Sequence, residues 1–315
     1  MKRLLIISLF VFGFLSLLTL SFSISLMLGL GLRDSLIDSQ NPRYHFSVYL
    51  PDAENSFFAS IKKGMEKGAG EYHVAISYHS INPVKLELQY ASYTGVDGII
   101  VCPYLDDAFA KAQIEKISSR AIPVVLINHM IAPDQPWPYV GPNSFDMGKK
   151  IGSRLRTVDG PLIPAIVYSE KSPGIYAERE LLEMGLTLAV GNRLTHPVYR
   201  LYTTTNPLDA ERIVYRLSRE HPSVNILIFT DARDTIAATQ ALIDMNLVGK
   251  VRIIGFGEED AILDFIQKGV IEATIIINPE KIGYEAIRSL YELKAGGYTS
   301  TSVDTGIELV GGVRK

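Results

Sequence analysis

One cysteine in 315 residues excludes any disulfide within the chain. Basic runs of five or more are also missing, and the net charge is only −3. That leaves no electrostatic footprint for nucleic acid. The six histidines show no metal-ligand spacing, so no metal is expected. There is no G-x-S-x-G elbow, no Walker loop and no H-E-x-x-H pair. Gly255-Phe256-Gly257 opens a dinucleotide-like pattern, but Asp260 stands where the third glycine belongs. No cofactor and no enzymatic activity are therefore expected. Cys102 closes the apolar run Gly98-Ile99-Ile100-Val101-Cys102 and reads as a small buried hydrophobe. The other reading, a catalytic thiol, lacks an evident base.

What the chain does have is one long uncharged stretch. Lys2 and Arg3 precede Leu4–Leu32, and Arg33 closes it. As a helix, these 29 residues would extend about 43 Å at about 1.5 Å per residue. A bilayer core needs only about 20 residues, and the apolar core of a cleaved signal usually has about 7–15. The length favours an uncleaved signal-anchor over residues 1–33; cleavage at Ser21-Phe22-Ser23 or Gly29-Leu30-Gly31 is the other reading. The N-terminal charges place that end inside and the remaining chain outside the membrane. With no cysteine nearby, a lipid anchor on an N-terminal cysteine is excluded. Residues 34–43, polar and ending near Asn41-Pro42, read as a short stalk.

Beyond the stalk, strand-like and helix-like segments alternate. Strands are expected near 45–50, 73–78, 98–102, 123–128, 163–168, 198–201, 226–230, 251–255 and 274–277. Helical patterns lie near 57–70, 83–93, 107–119, 144–155, 175–190, 208–219, 234–245, 260–267 and 279–293. Runs such as IPVVLI and NILIF are apolar throughout, as in parallel strands covered on both faces. The fold class is thus α/β with doubly wound parallel sheets. Nine such units exceed one sheet, and the proline-rich window 132–143 (APDQPWPYVGPN) reads as an interdomain connection.

The organising stretch is Tyr44–Gly70. A strand, Tyr44–Leu50, runs into a polar loop at Pro51, Asp52, Asn55 and Ser56. A helix follows, with Phe57, Ile61, Met65 and Ala69 along one face. In open α/β sheets, ligands bind beyond the carboxyl ends of the strands, which is where this loop would sit. NSFF before the first helix is followed by GVDGIIVCP, IPVVLIN, VGPNSFDMG and GFGEEDAILDFIQKGVIEATIIINPEKIGYEAI. In this order and spacing the segments resemble the type I periplasmic binding proteins, in particular the ribose-binding and lac-repressor-like sugar-binding family, over roughly Tyr44 to Val310.

That resemblance implies two lobes joined by three crossovers, near Pro142–Asn143, Ile277–Asn278 and Asp304–Ile307. One lobe would hold 44–142 plus 278–304, the other 143–277 plus 305–315. It also implies ligand-binding roles. Phe57 and Phe58 would stack on a sugar ring, whose C–H face suits flat aromatics, or else only pack; Asn55 would be polar in the same loop, or only cap the helix. Asn128-His129 stand where the family often has Asp-Arg, or form a loop pair solvated at the domain edge. Arg179 matches a sugar-binding arginine, or pairs with Glu183 four residues on. Asp231 replaces an Asn, or caps its helix. Gly257 and Ile277 depart from the family's polar positions, with Glu258, Glu259 or Asn278 available to compensate.

Closure on a small polar ligand, most of all a sugar, is the expected function. The expected partner is an ABC permease for uptake, or alternatively a membrane histidine kinase that reads the ligand. The lac-repressor relatives carry a DNA-reading headpiece where this chain has its apolar segment, so no nucleic-acid partner is expected.

Overall fold

The computed structural model describes residues 12–24, 42–51, 56–81, 87–103, 107–132, 134–172, 174–175 and 178–311. The chain divides into two compact units, Met1–Arg43 and Tyr44–Lys315. In the first, residues 12–24 are helical, and Phe12, Leu17 and Phe22 are each more than two-thirds exposed. Among the described residues no helix is long and apolar enough to cross a membrane. Most of the expected signal-anchor and nearly all of the stalk lie outside them.

In chain order the second unit begins with β1 (Tyr44–Pro51), α1 (Ser56–Tyr72), β2 (Val74–Ile81), a 3-10 segment over Glu87–Tyr93, and β3 (Gly98–Val101). Then come α2 (Asp107–Ser118), β4 (Val124–Ile127), β5 (Tyr139–Gly141), α3 (Ser144–Leu155), β6 (Pro164–Ser169), α4 (Arg179–Val190) and β7 (Tyr199–Thr203). Next are α5 (Asp209–Glu220), β8 (Ile226–Phe229), α6 (Ala232–Asp244), β9 (Arg252–Phe256) and α7 (Asp260–Gln267). The last are β10 (Ala273–Ile277), α8 (Pro279–Gly296), β11 (Ser302–Asp304) and β12 (Ile307–Gly311).

The strands form two six-stranded sheets, in the orders β11-β5-β4-β3-β1-β2 and β12-β10-β9-β8-β6-β7. We call the lobes built on them the N-lobe and the C-lobe. The strand runs are apolar throughout because alternate residues feed cores on opposite faces. In the N-lobe, Ile100, Val125 and Ile127 join one cluster while Ile99, Val101 and Leu126 join the other. In the C-lobe, Ile166, Ile228 and Ile254 lie on one side and Val167, Leu227 and Ile253 on the other.

Three strands are absent from the sequence pattern. β5 falls inside the proline-rich window, yet all three of its residues are buried, and it is hydrogen-bonded between β4 and β11. β11 and β12 are half exposed and carry no apolar run. β12 also departs from the all-parallel expectation, since it pairs antiparallel with β10. Thr305-Gly306 carry the chain straight from one sheet to the other, with no helix to reverse its direction, as a parallel return would need.

Capping residues fix the helices that begin at the lobe junctions. Asn143 accepts the Asp146 N–H at 3.0 Å to start α3, and Asn278 accepts the Lys281 N–H at 2.8 Å to start α8, with Pro279 in its first turn.

Each lobe holds one helix pair in very close approach. In the N-lobe, a Cβ on Gly64 would strike the Glu280 carbonyl of α8, and in the C-lobe one on Gly148 would strike the Leu182 carbonyl of α4. Gly64→Ala is therefore expected to lower stability by about 1–3 kcal/mol through overpacking. Gly70→Ala, on the same helix but with open space around it, is expected to raise stability by up to about 1 kcal/mol through helix propensity. Urea midpoints of the two variants should move in opposite directions; a shift of the same sign in both would refute the close approach.

Candidate ligand-binding cleft

Between the lobes lies a cavity of about 480 Å³, at the carboxyl ends of strands from both sheets. That position follows from topology, because loops leaving parallel strands gather at one end. The N-lobe supplies Ser56, Phe57 and Ser60 from the start of α1, and Asn128 from the end of β4. The C-lobe supplies Lys171, Ser172 and Ile175 after β6, and Asp231 to Arg233 where β8 becomes α6. Phe256 to Glu259 follow β9, and Ile276 and Ile277 close the wall.

The two adjacent phenylalanines separate. Their rings meet edge to face at 5.2 Å. Phe58 is 2 % exposed and belongs to the N-lobe core. Phe57 lines the cavity and packs against core clusters of both lobes. Asn128 sits at the centre of a tight three-residue turn, in which the His129 N–H donates to the Ile127 carbonyl at 2.8 Å. Its φ of 62° is one that asparagine tolerates better than most residues. Burial pushes the Cys102 thiol up to about 12, opposed by a hydrogen bond with Asn128. A thiol held so high is no nucleophile at neutral pH.

Asp231 caps α6, its Oδ1 accepting the N–H groups of Arg233 (3.0 Å) and Asp234 (3.2 Å). It also lines the cavity, where its Oδ2 accepts the Ser172 hydroxyl at 3.3 Å. Capping and facing the cleft are thus not alternatives. Burial, and then the charge of Asp234, push its carboxyl above the usual range.

His129 and Arg179 are not among the cavity-lining residues. His129 is 3 % exposed and lies near the Glu178 carboxylate. Arg179 opens α4, its carbonyl accepting the Tyr168 hydroxyl at 3.1 Å. Glu183 is held instead by Arg200, in two hydrogen bonds of 2.6 and 3.0 Å. Asn55 lies outside the described residues.

Three contributors, Lys171, Ser172 and Glu178, escape sequence reasoning, and the sequence offers a fourth, Glu259, only as one of three residues available to compensate at Gly257 and Ile277. Lys171 and Ser172 follow a strand's carboxyl end, so the topological rule that singled out Asn128 also pointed to them. The Lys171 ammonium is committed to Asp234, at 2.7 Å with both side chains nearly inaccessible, and Asp234 also accepts the Thr203 hydroxyl at 2.6 Å. Glu178, also buried, ties the junction together: it accepts the Met130 N–H at 3.0 Å and the Ser144 hydroxyl at 2.5 Å. Met130 follows β4 of the N-lobe, whereas Ser144 opens α3 of the C-lobe. Glu259 precedes α7 but makes no side-chain cap; its Oε2 is buried and has no hydrogen-bond partner. Burial is the largest influence raising its carboxyl, with the Asp231 and Glu258 charges adding to it.

Gly257 explains where that carboxylate went. Its φ is 101°, which L side chains rarely adopt. A Cβ there would strike Glu259 Oε2 and approach Ala232 Cβ at 2.7 Å. The side chain absent at 257 leaves a notch, and Glu259 fills it. Asn278 is occupied in capping α8.

Residues 46–297 match the family model of the periplasmic binding protein domain. The chain belongs to the periplasmic binding protein family. This is the family that NSFF, GVDGIIVCP and the later segments resemble. No curated protein matches this binding protein. Among solved structures it is similar to GanP, a glucose-galactose binding protein from Geobacillus stearothermophilus, at 26% identity and a TM-score of 0.73, over 85% of this chain and 96% of that one. XylFII shares its fold at 23% identity and a TM-score of 0.72, over 86% and 100% of the two chains. A carbohydrate transporter solute-binding protein from Agrobacterium radiobacter, in complex with D-arabinose, shares the fold at 17% identity and a TM-score of 0.72, over 85% and 94%.

Proposed function

We propose that this chain is an extracytoplasmic receptor for a small sugar-like solute, held at the membrane by residues 4–32, which closes on its ligand and presents the closed form to an ABC permease. The observation that carries the reading is the 480 Å³ cavity walled by both lobes, with Phe57 on one side and Asp231 on the other. A ligand touching both walls stabilises the closed arrangement through contacts that the open one lacks. Phe57 offers a flat apolar face; Asn128, Asp231, Ser172 and Ser60 offer hydrogen bonds to hydroxyls. In this reading Phe58, His129 and Arg179 act behind the wall, as supports for Phe57, the Asn128 turn and α4. The family's sugar-binding members, GanP among them, support the ligand class.

A second reading has the closed form docking on a membrane histidine kinase. It is favoured by the structural similarity to XylFII, which is also found as a XylFII-LytSN complex (23% identity, TM-score 0.71, over 86% and 98%), and by the length of the uncharged N-terminal stretch.

The full chain in mild detergent should show a higher melting temperature with its ligand. At about 100 times the dissociation constant, binding adds about 2.7 kcal/mol. A panel of monosaccharides, disaccharides, amino sugars and polyols in which nothing raises the melting point would overturn the receptor reading. Ligand-dependent uptake through a co-expressed permease, against ligand-dependent autophosphorylation of a kinase, separates the two downstream roles.

A further inference from the structure

The cavity is charged unevenly. Its described N-lobe lining (Ser56, Phe57, Ser60, Asn128 and Pro279) carries no charge. The C-lobe wall carries three carboxylates, Asp231, Glu258 and Glu259. Of its two cations, Lys171 is spent on buried Asp234. The other, Arg233, is 59% exposed and stands 3.9 Å from Asp231, a loose surface pair of little strength. The wall therefore presents an excess of negative charge to the cavity, and Glu259 Oε2 is buried with no donor to meet it. A buried carboxylate oxygen left without a donor is costly unless something else supplies one.

Resting on the receptor reading above, we propose that the solute bound here carries a protonated amine, as an amino sugar does, and that its ammonium is held between Asp231 and Glu259. Asp231 and Glu259 both flank the notch at Gly257: Ala232, next to Asp231, and the Glu259 carboxylate are the two groups nearest that position. An ammonium offers three donors and a full charge, which answers the charge of the cavity-lining Glu259 carboxylate and the remaining capacity of Asp231 Oδ2 together. A sugar hydroxyl meets only one of them and leaves the charge unanswered. Phe57 then covers the apolar face of the ring.

The pH dependence has a definite sign. Asp231 is held above the usual range by burial and Asp234, against the opposing pull of the Asp234 N–H, Arg233 and Lys171; Glu259 is held there by burial, Asp231 and Glu258, against the backbone N–H groups of Glu259 and Glu258. Carboxyls raised in this way keep their protons in the empty cleft to higher pH than free carboxyls do. An ammonium favours the ionised forms, so its binding expels protons and tightens as pH rises through the raised values. A neutral sugar that takes its hydrogen bond from protonated Glu259 shows the opposite slope.

Calorimetric titration of the full chain with glucose, glucosamine, N-acetylglucosamine and glucuronate, and with the same series built on galactose, at about pH 5 and about pH 7, tests this. The expected result is that an amino sugar binds at least about tenfold more tightly than its neutral parent, tighter at the higher pH and with proton release. N-acetylation, which removes the charge, should abolish the advantage. Glu259→Gln, which disturbs no cap, should erase the amino-sugar preference while leaving the melting temperature of the empty protein within a few degrees. A neutral parent bound as tightly as its amine, or a Glu259→Gln variant with unchanged preference, would overturn the proposal and leave the receptor reading intact. Absence of binding by any solute in the wider panel would overturn both.

Discussion

Replacing Lys171 with methionine should cost the C-lobe about 3–5 kcal/mol, because it strands Asp234 as a buried charge with no counter-ion. The pair is 2.7 Å apart with side chains 2% and 1% exposed, and the Thr203 hydroxyl is the second group on the same carboxylate. Water cannot reach either partner to compensate, and salt cannot screen them. The double variant Lys171→Met/Asp234→Leu removes both charges and should return to within about 2 kcal/mol of the parent, the remainder reflecting the Thr203 hydroxyl left without an acceptor. Urea unfolding of the parent, the two single variants and the double variant closes a cycle whose coupling term isolates the pair. A Lys171→Met variant less than about 1 kcal/mol below the parent would refute a desolvated pair. The same cycle bears on ligand chemistry, since the inference of an amine rests on Lys171 having no charge to spare for the solute.

The sequence disclosed the architecture through a physical regularity, and the limits of that regularity explain what it hid. Parallel strands buried on both faces must be apolar at every position, so VVLI and ILIF are legible as β4 and β8 without further help. β5, β11 and β12 obey no such rule. β5 is three residues set between Pro138 and Pro142, and its burial comes from neighbours distant in sequence. β11 and β12 are half exposed, and β12 takes its direction from the crossover, a tertiary fact.

The site divides along the same line. Position along the chain locates the ends of strands, and so brings Phe57, Asn128 and Asp231 to one cavity. It says nothing about which way a side chain turns. Phe57 and Phe58 are about 100° apart around one helix, so one faces the cavity and the other the core, and periodicity alone cannot choose between cavity and core. His129 follows Asn128 across a turn whose positive φ sends the next side chain inward. Glu259 looks like an ordinary acidic residue at a helix start; only the notch at Gly257, set by a backbone angle, shows that its carboxylate turns elsewhere.

Gly174→Val is expected to weaken ligand binding by about 5- to 150-fold while leaving the fold of each lobe intact. Gly174 belongs to the C-lobe segment beside Ser172 and Ile175 of the cleft, yet its nearest foreign neighbours are atoms of Asn128, at the end of the N-lobe's β4. A Cβ there would strike the Asn128 carbonyl and lie 2.5 Å from its Nδ2. Four residues on, the Glu178 N–H returns to the Gly174 carbonyl at 3.1 Å, and the Glu178 side chain grips Met130 and Ser144. The lobes are thus tied at Glu178 and touch where Gly174 meets the carbonyl and side chain of Asn128, so bulk at 174 acts on the angle between them rather than on either core. Overpacking of this kind costs about 1–3 kcal/mol. Because an open arrangement escapes the clash, the cost falls on the closed state alone and reappears as lost affinity, at about 5-fold for 1 kcal/mol and about 150-fold for 3. Titration calorimetry gives the affinity, and small-angle X-ray scattering should show the unliganded variant more extended than the parent. An affinity equal to the parent's would mean that binding needs no approach of Gly174 to Asn128, and with it the two-walled cleft would fail.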